Sequence, residues 1–157
     1  MLAQATRTIP YPSRAVSAAL TDPRRPWSVK GDGDGRRLLA RAGFRVGPLP
    51  VYKHVMLRIG RLPDAEPGER LMVPVTWEAV GGPPIFPAMQ GTLHVAPGGR
   101  STTRLTLNAS YDPPLGRIGE RMDRIVMHRL AQLTMNDFIA RLAEALAAHF
   151  SVVAAAS

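Results

Sequence analysis

The chain of 157 residues contains no cysteine, which excludes disulfide frameworks, thiolate metal sites, iron–sulfur clusters and cysteine nucleophiles together. Aromatic residues make up only 6%. There is no unbroken apolar run of the roughly 20 residues that a membrane span requires, nor the roughly 7–15 near the N-terminus that a signal peptide requires. That pattern leads to the expectation of a cytoplasmic protein. Lysine is nearly absent as well, with Lys30 and Lys53 the only two, so the basic character is carried by arginine. Hydrophobic residues at 45% and charged residues at 20% describe an ordinary globular composition, and the length suits one domain.

Charge is unevenly placed. Residues 1–62 hold 12 basic and 3 acidic side chains, net +9, whereas residues 63–157 hold 8 and 9, net −1. Such asymmetry offers a face to an acidic partner or an anionic membrane surface. The bases stand singly or in pairs, which does not suit nucleic acid and is equally the pattern of a solvated surface.

Ala3–Tyr11 is β-branched and ends in prolines, which predicts an edge strand. Ser13 then offers an N-cap for a short helix through Val16, Ala19 and Leu20, stopped by Asp22-Pro23. Gly31-Asp32-Gly33-Asp34-Gly35 is a turn, lacking the ligand spacing and terminal Glu of a calcium loop. Five runs with period-2 apolar placement follow, at 37–46, 51–62, 71–79, 90–95 and 103–111, separated by Pro/Gly turns. After Asp112-Pro113-Pro114 the period becomes 3.6 and holds to about His149, which predicts one long helix. Two apolar stripes run along it. Leu115, Ile118, Met122, Ile125, Val126 and Leu133 form one; Met127, Ala131, Met135, Phe138, Leu142 and Leu146 form the other. Residues 1–150 therefore make one α+β domain, and 151–157 read as a flexible tail.

The order one strand, short helical pair, five-strand antiparallel meander, long C-terminal helix resembles the helix-grip fold. The segments Val16-Ser-Ala-Ala-Leu-Thr-Asp-Pro23 with Trp27, Phe86-Pro87 before Gly91-Thr92-Leu93, Leu105-Thr-Leu107 leading to Tyr111-Asp-Pro-Pro-Leu-Gly116, and His128-Arg129 strengthen the likeness. On these residues the chain resembles the START/SRPBCC superfamily, which includes polyketide cyclases and birch-pollen-allergen-like proteins. The resemblance implies a curved antiparallel sheet of about six or seven strands gripping the long helix, with an apolar cavity between them. No catalytic motif of an enzymatic branch is matched, and fold does not carry activity.

Trp77, on the apolar face of its strand, and Phe86 and Met89 beyond it are candidates for the cavity wall, as are Met122 and Ile125 on the first helical stripe. Plain core packing predicts the same residues. Arg129 falls within that stripe, where a guanidinium needs a partner or a wet cavity, and is a candidate anchor for an anionic ligand group. His54 and His128 are candidate polar or acid–base groups. No metal-ligand spacing, nucleophile elbow or dinucleotide loop occurs, so neither metal nor cofactor is expected. The expected function is binding of a small hydrophobic or amphipathic molecule such as a lipid, quinone or polyketide, by a monomer or homodimer. The alternative is a cyclase- or dehydratase-like enzyme working in the same cavity.

Overall fold

The computed structural model describes the backbone of residues 2–22, 36–46, 49–59, 70–79, 88–112 and 124–156. It describes side chains at 2–22, 70–78, 88–111, 125 and 128–156. Eight elements follow one another: β1 (Leu2–Ile9), α1 (Ser13–Thr21), β2 (Arg36–Val46), β3 (Leu49–Ile59), β4 (Leu71–Ala79), β5 (Ala88–Gly99), β6 (Thr102–Asp112) and α2 (Arg124–Ala155). Alternating side chains give β4, β5 and β6 one apolar face each, and antiparallel pairing brings those faces together. The six strands form one sheet in the order β1-β6-β5-β4-β3-β2, so the N-terminal strand closes one edge and β2 the other.

Four cross-strand rows line the buried face. Leu71, Val95 and Leu105 stand opposite one another, followed by Val73, Leu93, Leu107 and Ala5. Next come Val75, Gly91, Ala109 and Ala3, then Trp77, Met89 and Tyr111. Among the described residues the β3–β4 ladder reaches the Ile59–Val75 pair, one position short of Pro74. β5 runs further than its sequence suggests. A bulge between Pro97 and Gly99 carries the strand through the expected Pro-Gly-Gly break and moves the turn to Arg100 and Ser101.

α2 lies close to both edge strands, β1 and β2, while the middle of the sheet stands off from it. A sheet whose two edges reach one helix must be curved around it. The second predicted stripe is the one that faces the sheet: Ala131, Met135 and Leu146 are fully buried, with Phe138 and Leu142 partly so. On the first stripe Ile125 is 64% and Leu133 48% exposed. From His128 to Ala155 the helix is long and apolar enough to cross a membrane by composition alone, yet its apolar face is committed to the sheet, which makes it the core helix of the fold. It continues through Ala155, so 151–155 are exposed helical turns where the sequence predicts a tail.

Pro12, not Ser13, occupies the N-cap of α1. Ser13 is the first helical residue, and no side chain caps the helix. The Pro12 carbonyl accepts the first helical bond from the Val16 N–H at 3.1 Å. α1 buries Val16 and Ala19 and packs on β5 and β6. Around it the core is tied tightly. The buried Thr103 hydroxyl donates to the Tyr11 carbonyl at 2.6 Å, and the Tyr11 ring stacks on Phe150 of α2 with centroids 4.4 Å apart.

Candidate functional site

At the opposite end of the sheet from α1, the row Trp77–Met89–Tyr111 forms a bulky wall across three strands. All three are buried, at 4%, 1% and 1% exposure. With strands about 4.8 Å apart, the wall is about 10 Å from end to end. The row behind it is small: Val75, Gly91, Ala109 and Ala3. Gly91 is required there by close approach, because a Cβ would meet the Asn108 carbonyl oxygen at 2.3 Å and the Ala109 Cβ at 2.7 Å. The Leu-rich row beyond it rises again. The inner face is thus stepped, with a shallow row between two tall ones.

Two contacts carry α2 across this region. Phe138 meets Trp77 with ring centroids 5.7 Å apart, and His128 meets Tyr111 at 6.4 Å. Met135, fully buried between those helical positions, supplies a flexible side chain that can reshape to what lies beside it. The Tyr111 hydroxyl and His128 Nδ1 are 3.2 Å apart. Burial raises the Tyr111 phenol above its ordinary value of 10.0, because the charged form is the one that loses hydration. The phenol is therefore a neutral donor and acceptor at physiological pH. His128 itself is exposed, so the pair joins the interior to solvent.

The sequence candidates divide. Trp77 and Met89 stand side by side in the wall, and His128 stands at its end. Ile125 and Arg129 are exposed, on the side of α2 turned away from the sheet. Arg129 therefore answers to solvent, and the burial that singled it out as a charged anchor does not arise. Phe86 and Met122 lie outside the described residues, as does the side chain of His54, whose backbone sits opposite Arg41 in the β2–β3 ladder. Tyr111 was missed as a candidate. Its signal was present in β6, where Thr103, Leu105, Leu107, Ala109 and Tyr111 alternate inward, so that a hydroxyl closes an otherwise apolar series.

Two other buried hydroxyls are structural: Thr103 donates to Tyr11 O, and Thr134 to Leu130 O at 2.8 Å on its own helix; the Ser17 hydroxyl of α1 is buried with no hydrogen-bond partner. Among the described residues no three His, Asp or Glu side chains converge as metal ligands. No side chain bearing a formal charge is buried among them either. What the arrangement offers is an apolar surface of adaptable shape with one hydrogen-bonding pair, Tyr111 and His128, at its rim.

No family model matches the chain, and no curated protein matches it in sequence. Solved structures do. A conserved protein from Geobacillus kaustophilus shares 18% identity over 94% of this chain and 95% of its own, with a TM-score of 0.58. The Zhui aromatase/cyclase from a Streptomyces species shares 14% over 92% and 93%, with a TM-score of 0.54. These likenesses show the fold. The chain has the helix-grip architecture that the sequence resemblance implies, an antiparallel sheet curved around a long C-terminal helix.

Proposed function

We propose that this helix-grip protein is a cytoplasmic binding protein that takes a small, mainly apolar molecule between the curved sheet and α2. The observation that carries this reading is the stepped inner face, with Val75, Gly91, Ala109 and Ala3 low beside Trp77, Met89 and Tyr111. Small side chains beneath a helix that rests on the sheet's edges leave room that bulky ones would fill. Apolar surface buried there contributes at roughly 25 cal/mol per Å². Trp77 and Met89 form the wall, and Tyr111 and His128 the polar rim.

Native mass spectrometry of the freshly purified protein, followed by organic extraction, tests the reading. A co-purified lipid, quinone or polyketide at stoichiometric level supports it. Ala109→Leu, which raises the low row, is expected to cost at least about tenfold in affinity for that molecule while the protein stays folded. Unchanged affinity rules the stepped face out as the site.

The proximity of His128 to Tyr111 favours a second reading, a cyclase-like enzyme in which His128 moves a proton. It requires that a poly-β-ketoacyl thioester be converted to a ring product faster with the protein than in buffer, and that His128→Ala abolish the difference. Equal rates with and without protein remove it.

A further inference from the structure

Six large apolar side chains stand exposed among the described residues, and four of them, Ile125, Leu133, Val152 and Val153, belong to α2. At 100° per residue, the line of α2 turned away from the sheet runs through Arg129, Leu133, Asn136, Ala140 and Glu144. From Ile125 to Ala148 this line is about 35 Å long. Its small residues let a second helix come close, and its charges decide which helix that can be. An anionic bilayer surface is a poor match, because Glu144 stands on the line and Asp137 beside it.

The line is complementary to itself. A two-fold axis passing between Asn136 and Asp137 makes two copies antiparallel and sets Arg129 opposite the partner's Glu144, and Leu133 opposite the partner's Ala140, each twice. Leu133 then fills the space that alanine leaves, and two ion pairs flank an apolar centre. Other registers lose this match. An axis at Asp137 brings two carboxylates together, and one at Ala140 sets Glu144 against the partner's Asn136 and Arg129 against the partner's Ser151. The line also drifts around a straight helix by about 20° per seven residues, so the two copies cross as interdigitated ridges do and do not lie parallel.

We infer that the chain pairs with a second copy of itself through the outer face of α2, with Arg129 and Glu144 meeting across the interface. This face lies on the far side of the helix from the proposed binding space, so pairing and ligand binding stand or fall separately. One helix face is a small interface, for which a dissociation constant on the order of 10 μM is expected.

Sedimentation velocity of the full chain, over concentrations from about tenfold below that constant to about tenfold above it, is expected to show monomer converting to dimer. Arg129→Glu and Glu144→Arg each turn two attractions into two repulsions and are expected to weaken the dimer at least about tenfold; joined in one chain they restore it to within about threefold. Leu133→Ser is expected to weaken it about tenfold as well, with the denaturation midpoint of the dilute, monomeric protein nearly unchanged. Because the chain has no cysteine, Asn136→Cys supplies one thiol per copy, and the two meet beside the axis. A disulfide-linked dimer is expected on mild oxidation, and none from Arg104→Cys on the exposed face of the sheet. A chain that stays monomeric throughout, or a dimer indifferent to both charge reversals, overturns the inference. Failure of the joined reversal to recover does the same, as does a monomer that pellets with phosphatidylglycerol vesicles through this face.

Discussion

The two ends of the sheet are built from the same alternation yet finished differently. Around α1 the packing is closed within the fold: Thr103 donates to Tyr11, Tyr11 stacks on Phe150, and Leu71, Val95 and Leu105 are fully buried. At the Trp77–Met89–Tyr111 end a small-residue row adjoins large aromatic ones, and the buried hydroxyl reaches outward to an exposed histidine. One end looks after stability; the other spends some of it on a surface that a ligand can complete. Binding sites belong where packing is adaptable, since a well-packed interior of near-crystalline density has no room to accept anything.

Substitutions at the two ends sharpen this contrast, beginning with the largest effect. Leu105→Ala at the α1 end is expected to cost about 2–5 kcal/mol, read from urea denaturation, with affinity for the co-purified molecule unchanged. A loss that falls mainly on binding would mean that the ends are wrongly assigned. Trp77→Ala is expected to cost less than the about 3–5 kcal/mol usual for a packed tryptophan, while weakening binding of the co-purified molecule by at least about tenfold. The full stability loss with binding intact would make Trp77 plain core. Thr103→Val removes the hydrogen bond to Tyr11 and leaves its part-buried carbonyl short of a donor, for an expected loss of about 1–3 kcal/mol.

Tyr111→Phe should be nearly neutral at pH 7 and distinctive at high pH. The folded phenol titrates above its unfolded value of 10.0. Between those two values the unfolded chain has released its proton and the native one has not, so stability falls as pH rises through that window. The stabilising contribution is complete below the unfolded value. The phenylalanine variant is therefore expected to show a shallower alkaline decline in denaturation midpoint; identical slopes would show that burial does not hold this phenol protonated. The smallest effect belongs to the outer side of α2, where Leu133→Ser is expected to change stability by no more than about 0.5 kcal/mol.

The sheet was legible from alternation because each strand in it buries only one face. Leu71, Val73, Val75 and Trp77 read as one side, and that side is buried. The orientation of α2 was not legible. Near Ile125–Met135 apolar residues surround the helix, so periodicity offers two equivalent faces, and tertiary packing decides between them. Arg129 was misjudged for that reason: its place in a stripe was read correctly, but the stripe is the one left to solvent. Tyr111 and His128 belong to different elements, and no spacing rule announces that a strand's last inward residue will meet a helix's early turn. The caps and breaks were read with mixed success. Pro12 displaced Ser13 because its extended backbone already supplies the N-cap geometry, and Pro97-Gly98-Gly99 was absorbed by a bulge.

The neighbouring of β1 and β6 bears on how the chain acquires this fold in time. The Gln4 side chain donates to Asn108 at 2.8 Å across a separation of 104 residues. β1 is synthesised well before β6 and waits for it, its edge unpaired while the strands between them are made. Closing so long a loop costs entropy before any ladder bond repays it, which places this chain among slow folders of its size. During that interval Ala3, Ala5 and Ile9, which end up buried, are exposed on an unpaired strand. The exposed side that alternates with them bears Gln4, Thr6 and Thr8, so the waiting strand is half polar, which lessens its tendency to pair with another chain before its own partner arrives.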